Sequence, residues 1–139
     1  MQNRLITTDR LTAWGINVDQ SCKLCQGQFE SRDHLFMQCS YTQTLWKKLL
    51  IWLNRPGFQA QSWGQQENWI VANTKGKSQA AQILKLVYTE FVHVVWQERN
   101  QRTFENKSKQ WGVLAREIAY VSNVRASLGI RAKLQQLLF

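Results

Sequence analysis

All three cysteines and one of the two histidines of this 139-residue chain fall between positions 22 and 39, in the order Cys22-x2-Cys25-x8-His34-x4-Cys39. A Cys-x-x-Cys turn presents two thiolates from one tight knuckle, and His-x4-Cys adds an imidazole and a third thiolate from a short helix and the residue just past it. Four donors of this softness suit tetrahedral zinc, and four protein ligands leave no position for water, which is the pattern of a structural metal. Three cysteines buried as small hydrophobes would be the plain alternative, but that would not gather every cysteine into ligand spacing. A redox Cys-x-x-Cys would need a βαβ setting that the flanking residues do not offer.

The elements that must carry these ligands read as helices. Thr7 or Thr8 caps a short helix in which Leu11 and Trp14 share a face and Gly15 closes the end. Ile16 and Val18 lead in extended form to the cysteines, and Ser31 caps a second short helix from Arg32 to about Gln38. Leu45, Trp46, Leu49, Leu50, Trp52 and Leu53 recur at helical spacing between Tyr41 and Asn54, and Arg55-Pro56-Gly57 stops that helix. Ser62 can cap a helix carrying Trp69, Ile70 and Ala72. The longest periodic element starts at Ser78 and reaches about Phe104, with Ala80, Leu84, Val87, Phe91 and Val94 as its buried stripe, widened by Ile83, Leu86 and Val95. A last helix, from about Ser108 to Ser127, places Trp111, Leu114, Ile118, Val121 and Val124 on one face, ends at Gly129, and is followed by a basic and apolar tail, Arg131 to Phe139. The expected fold is all-α: a small helical domain with an N-terminal Cys-Cys-His-Cys zinc knuckle. It is one domain over 1–139, with the knuckle and first helices in 4–55 and a basic helical part in 56–139.

Charge narrows the class of partner. Eighteen Lys and Arg face nine acids, a formal +9; three metal-bound thiolates (−3) and a divalent ion (+2) bring the loaded protein to about +8. In residues 1–40, Arg4, Arg10, Lys23 and Arg32 are balanced by Asp9, Asp19, Glu30 and Asp33, so the knuckle is neutral before metal. From residue 98 onward eight bases face only Glu98, Glu105 and Glu117. An excess of this kind favours polyanionic partners, RNA or DNA first and an acidic membrane surface second. The segment Trp96-Gln-Glu-Arg99-Asn100-Gln-Arg102-Thr103-Phe104 sets an aromatic ring beside guanidinium and amide groups, a combination that stacks on bases and holds phosphates. The residues assigned to nucleic acid are Lys47, Lys48, Trp96, Arg99, Asn100, Arg102, Lys107 and Lys109.

No run of 18 apolar residues is present, the first residues lack the apolar core of a secretory signal, and the cysteine usage fits a reducing intracellular compartment, with the nucleus the expected one and an organelle the other. No carboxylate pair, Ser/His/Asp order or Gly-rich phosphate loop stands out, and His93 reads as a helix-surface residue, so an enzyme is not expected. The seven tryptophans and the apolar ending Leu134, Leu137, Leu138 and Phe139 support a second reading, a structural subunit docked on a larger ribonucleoprotein.

Arg4-Leu-Ile-Thr-Thr-Asp-Arg-Leu-Thr-Ala-Trp-Gly15, Cys22-x2-Cys25, Glu30-Ser31, His34-Leu-Phe36, Cys39-Ser40 and Trp46 together resemble the zinc-binding domain that follows the reverse transcriptase domain in plant LINE-type (non-LTR) retrotransposons. The resemblance is close over residues 4–55 and weaker through Trp96 to Phe104. It implies zinc held by Cys22, Cys25, His34 and Cys39, and a role in gripping element RNA or target DNA. The tryptophan-rich lead-in helix of that family, its paired polymerase aspartates and its endonuclease have no counterpart here. The resemblance therefore implies a retrotransposon-derived, separately encoded or domesticated module that does not polymerise nucleic acid.

Overall fold

The structure, a computed structural model, describes residues 6–55, 60 and 62–137. The proposed stop at Pro56-Gly57, the lead-in residue Arg4 and the apolar pair Leu138 and Phe139 lie outside the described residues. Helices α1 (Thr8–Ala13), α2 (Ser40–Trp52), α3 (Trp63–Thr74), α4 (Gln79–Phe104), α5 (Trp111–Arg125) and α6 (Leu128–Gln135) follow in order, with a π-helical turn, His34–Gln38, before α2. Among the described residues the one β-type feature is an isolated antiparallel bridge between Ser21 and Phe29. The expected all-α class holds.

The 26-residue α4 is the axis of the body. It packs on α3, α5 and α6, while α2 packs on α5 and on the π-helical turn. Leu84, Val87, Phe91 and Val95 are fully buried along it, with Leu45 and Leu49 of α2 and Leu114 and Ile118 of α5 in the same core. Trp46 joins α2 to α4 through Phe91, at 4.7 Å between ring centroids, and through Tyr88 at 5.7 Å. Side-chain caps fix the starts: Ser62 accepts from the Gln65 amide and Ser78 from the Ala81 amide, each satisfying an N–H that the first helical turn leaves orphaned.

Four expectations are corrected. Trp14 does not share a buried face with Leu11; it is exposed, with the Arg10 guanidinium 5.3 Å from its ring, and Gly15 closes α1 at a φ of +81°. On α4, Ala81 rather than Ala80 is buried. The buried face of α5 is Leu114, Ala115, Ile118, Ala119 and Ser122, leaving Val124 exposed and Trp111 and Val121 only partly covered. Small side chains at 115, 119 and 122 let neighbouring helices approach closely, which outweighs the pull of the larger apolar residues one position away. Gly129 ends nothing: it lies in the first turn of α6, where its weak helix propensity costs least, and the supposed tail is a helix that buries Ile130 and Leu134.

Candidate metal centre

The knuckle turn is held by backbone bonds. The Cys22 amide donates to Gln28 O at 2.8 Å, the Gln26 amide to Cys22 O at 2.8 Å, and the Glu30 amide to Gln20 O at 2.8 Å. Gln26 takes a φ of +58°, which reverses the chain immediately after Cys25. On the other side, Ser31 Oγ accepts from the His34 amide at 3.0 Å and starts the turn that carries the imidazole, as its position before the short helix foretold.

His34 and Cys39 converge because that turn is not α-helical. Five residues at about 100° each would leave the two side chains roughly 140° apart on an α-helix. Here the Cys39 amide donates to His34 O at 2.7 Å, an i to i+5 bond that widens the turn and swings Cys39 back toward the imidazole. Cys39 is also the N-terminal flank of α2, so its sulfur meets the positive end of that helix, and the backbone amides of the first turn favour its ionised form.

The Sγ atoms of Cys22, Cys25 and Cys39 and a ring nitrogen of His34 all lie within 4.8 Å of one another. Cys22 Sγ is 3.9 Å from Cys39 Sγ, and Cys25 Sγ is 3.2 Å from His34 Nε2. Zn–S bonds of about 2.3 Å at the tetrahedral angle set sulfurs about 3.8 Å apart, so the cluster has the size that zinc requires. Cys22 and Cys39 are fully buried, His34 is nearly so, and Cys25 is half-buried. The Cys22 thiol is pushed far up, first by its hydrogen bond to the Cys39 sulfur and then by burial, while Cys39, as acceptor of that bond, is lowered. Burial lowers His34 and keeps its imidazole neutral, the form that ligates. The donor set and its spacing suit a closed Cys3His metal site, and three cysteine ligands favour zinc over hard cations. Bound there, zinc would tie the knuckle, the π-helical turn and the start of α2 together through Cys22, Cys25, His34 and Cys39.

A buried ion pair and a set of guanidinium–carbonyl bonds dock this centre onto α4. Arg99 Nε and Nη2 donate to the two oxygens of Glu30, both at 2.9 Å, and Glu30 also accepts from the Thr8 amide at 2.9 Å. Both side chains are essentially buried, at 5% and 0% exposure. Arg102 donates to Glu98 at 2.8 Å, to the carbonyls of Lys23 and Leu24 inside the knuckle at 3.1 and 3.4 Å, and to Lys109 O at 2.7 Å.

The eight residues assigned to nucleic acid therefore separate. Arg99 and Arg102 are corrected: their guanidinium groups are consumed by Glu30, Glu98 and knuckle carbonyls and hold the fold together. Trp96 stacks under Arg99, 4.8 Å from the ring centroid, and Asn100 accepts from Arg99 Nη1 at 2.9 Å. Both line a groove of about 480 Å³ whose outer edge is the exposed Phe104. Lys47 and Lys107 are exposed, Lys48 is half-buried, and Lys109 pairs with Glu117 at 2.8 Å. Sequence reasoning missed Glu30 and Glu98; the available signal was an acid standing among the apolar and ligand residues of the knuckle, and a second one four residues before Arg102.

No curated protein and no solved structure matches the chain. The family match stops short of α4, leaving the Trp96–Phe104 likeness outside it. Residues 1–46, which hold all four ligand positions, match the family model for zinc-binding in reverse transcriptase and carry a zinc-binding domain of the kind associated with those enzymes.

Proposed function

We propose that the chain is a zinc-stabilised module that binds nucleic acid, RNA ahead of DNA, chiefly through phosphates. In this reading it derives from a plant retrotransposon reverse transcriptase, has no polymerase or other enzymatic activity of its own, and works inside the cell, in the nucleus. The observation that carries the reading is where the surplus charge stands. Lys47, Lys75, Lys77, Lys85, Lys107, Arg116 and Lys133 are exposed and, among the described residues, none forms an ion pair with a carboxylate. The cations near the knuckle, by contrast, are paired: Lys23 with Asp19 at 2.9 Å, Arg99 with Glu30 and Arg102 with Glu98. The unpaired set is free to neutralise phosphates, and the metal centre supplies rigidity instead of contact.

Phosphate binding releases counterions, so affinity for a single-stranded oligonucleotide should fall about 100-fold between 50 and 200 mM salt if roughly five phosphates are engaged. Charge-neutral substitution at Lys47 or Lys107 should reduce the log–log salt slope by a little under one each. A flat salt response in fluorescence anisotropy, or no binding at low salt, would remove the proposal.

A second reading, docking on a protein of a larger ribonucleoprotein, draws on the outer face of α5 and the start of α6. Tyr120, Val124 and Leu128 are 71%, 55% and 82% exposed along it. Of the apolar ending, Leu134 is buried within the protein's own core, while Leu138 and Phe139 lie outside the described residues. If the face docks, Tyr120→Ser with Leu128→Ser should leave thermal stability unchanged yet abolish co-sedimentation with ribonucleoprotein particles in cell extract. Unaltered co-sedimentation would discard it.

A further inference from the structure

We infer that a small cavity between α2, α3 and the π-helical turn is a seat for a phosphate oxygen. The cavity, about 20 Å³, is lined by Phe36, Met37, Trp46, Lys47 and Gln66 among others. Two of the lining residues carry buried donors with no hydrogen-bond partner among the described residues, Trp46 Nε1 and Gln66 Nε2. Trp46 is 7% exposed and Gln66 1%. Buried N–H groups in native proteins nearly always find an acceptor, because an unmade bond forfeits the water left behind. An indole nitrogen can only donate, so the partner must be an acceptor.

The surroundings say which acceptor. Gln43, another polar wall, has its amide nitrogen committed to Met37 O at 2.9 Å. No carboxylate lines the cavity, and the exposed Lys47 brings a positive charge to it. A bridging water is the competing occupant, with Gln43 Oε1 as an acceptor for one of its protons, but it brings no charge to match Lys47, whereas a phosphate oxygen does. The space admits one oxygen and not a whole tetrahedral anion, so the remaining phosphate oxygens stay outside, against Lys47 and solvent. Two fixed neutral donors inside and a flexible cation at the rim form a site for a phosphate, either a free anion or a phosphodiester of a nucleic acid strand. The phosphodiester case rests on the nucleic-acid reading above and gives it one fixed contact.

The test uses the full, zinc-loaded, ¹⁵N-labelled chain, titrated first with inorganic phosphate and then with a short single-stranded oligonucleotide. The Trp46 indole and Gln66 side-chain resonances are expected to move with one or both ligands. Gln66→Met, which removes the donor at nearly constant volume, should weaken that binding about tenfold. It should leave the melting temperature in phosphate-free buffer no lower, since a donor without a partner contributes nothing to lose. Trp46→Phe, which keeps a ring in the core and deletes the N–H, gives a second variant should the first fold poorly. Shifts with phosphate alone establish the seat for the free anion. Oligonucleotide binding at full strength with both resonances still would overturn the seat and leave the nucleic-acid reading standing; shifts with phosphate but no oligonucleotide binding would do the reverse. A lower melting temperature for Gln66→Met without phosphate, with no shift in either titration, would assign the cavity to an ordered water and end the proposal.

Discussion

Chelating the metal is expected to unfold the N-terminal third of the protein and lower the melting temperature by tens of degrees. Helix α1 has six residues and the π-helical turn five, both far below the length at which a helix holds itself in water. Apart from metal, the knuckle rests on a few backbone bonds, one isolated bridge and the bonds that Arg99 and Arg102 make to Glu30 and to the Lys23 and Leu24 carbonyls. Structural zinc sites contribute about 10–16 kcal/mol of apparent binding free energy at neutral pH, as much as the whole stability of a domain this size. Hydrogen exchange should therefore show amides from 20 to 39 losing protection on chelation, while the centres of α4 and α5 keep theirs longest. Cys39→Ser should reproduce the loss, because it removes the ligand at the N-terminus of α2. Cobalt substitution should give the visible absorption of a tetrahedral thiolate site. Acid should release the metal, since protons compete for three sulfurs that the ion needs ionised, and raising the pH should tighten binding. Unchanged melting and exchange after complete chelation would mean that the four ligands pack without an ion.

What the chain disclosed in advance follows from how local each feature is. Cys22, Cys25, His34 and Cys39 were legible because ligand chemistry constrains residue type and spacing within one short segment. Ser31, Ser62 and Ser78 were legible for the same reason, since a cap acts on an amide three residues away. The π-helical turn was not, because no residue type announces an i to i+5 bond. The α5 register failed because Ala115 and Ala119 look unremarkable until a neighbouring helix must come close. Arg99 failed for a deeper reason: its partner Glu30 is 69 residues away, and a buried ion pair reads, one residue at a time, as two surface charges. The same holds for Glu90, buried on α4 and bonded to Arg125 of α5.

Arg99→Met should accordingly destabilise the fold and not merely weaken nucleic-acid binding. Removing one partner of a buried ion pair strands the other charge, typically at a cost of about 3–5 kcal/mol. Here the stranded group is Glu30, which would keep only the Thr8 amide among its present partners. Arg99→Lys should recover little, because an ammonium cannot reproduce the two parallel bonds made by Nε and Nη2. Glu30→Gln combined with Arg99→Met should regain much of the loss, since no bare charge then remains; a double-mutant cycle in urea unfolding measures that coupling. The consequence should reach the metal, because Glu30 closes the knuckle and its pairing holds that segment on α4. A competition assay should show weaker zinc retention in Arg99→Met even though Arg99 is not a ligand. Were Arg99 a phosphate contact, as its neighbours Trp96 and Asn100 suggest in sequence, the variant would melt normally, retain zinc normally and lose about one unit of salt slope. The two outcomes share no observable, so one unfolding curve and one metal titration decide whether this guanidinium faces a ligand or locks the knuckle to the helix beneath it.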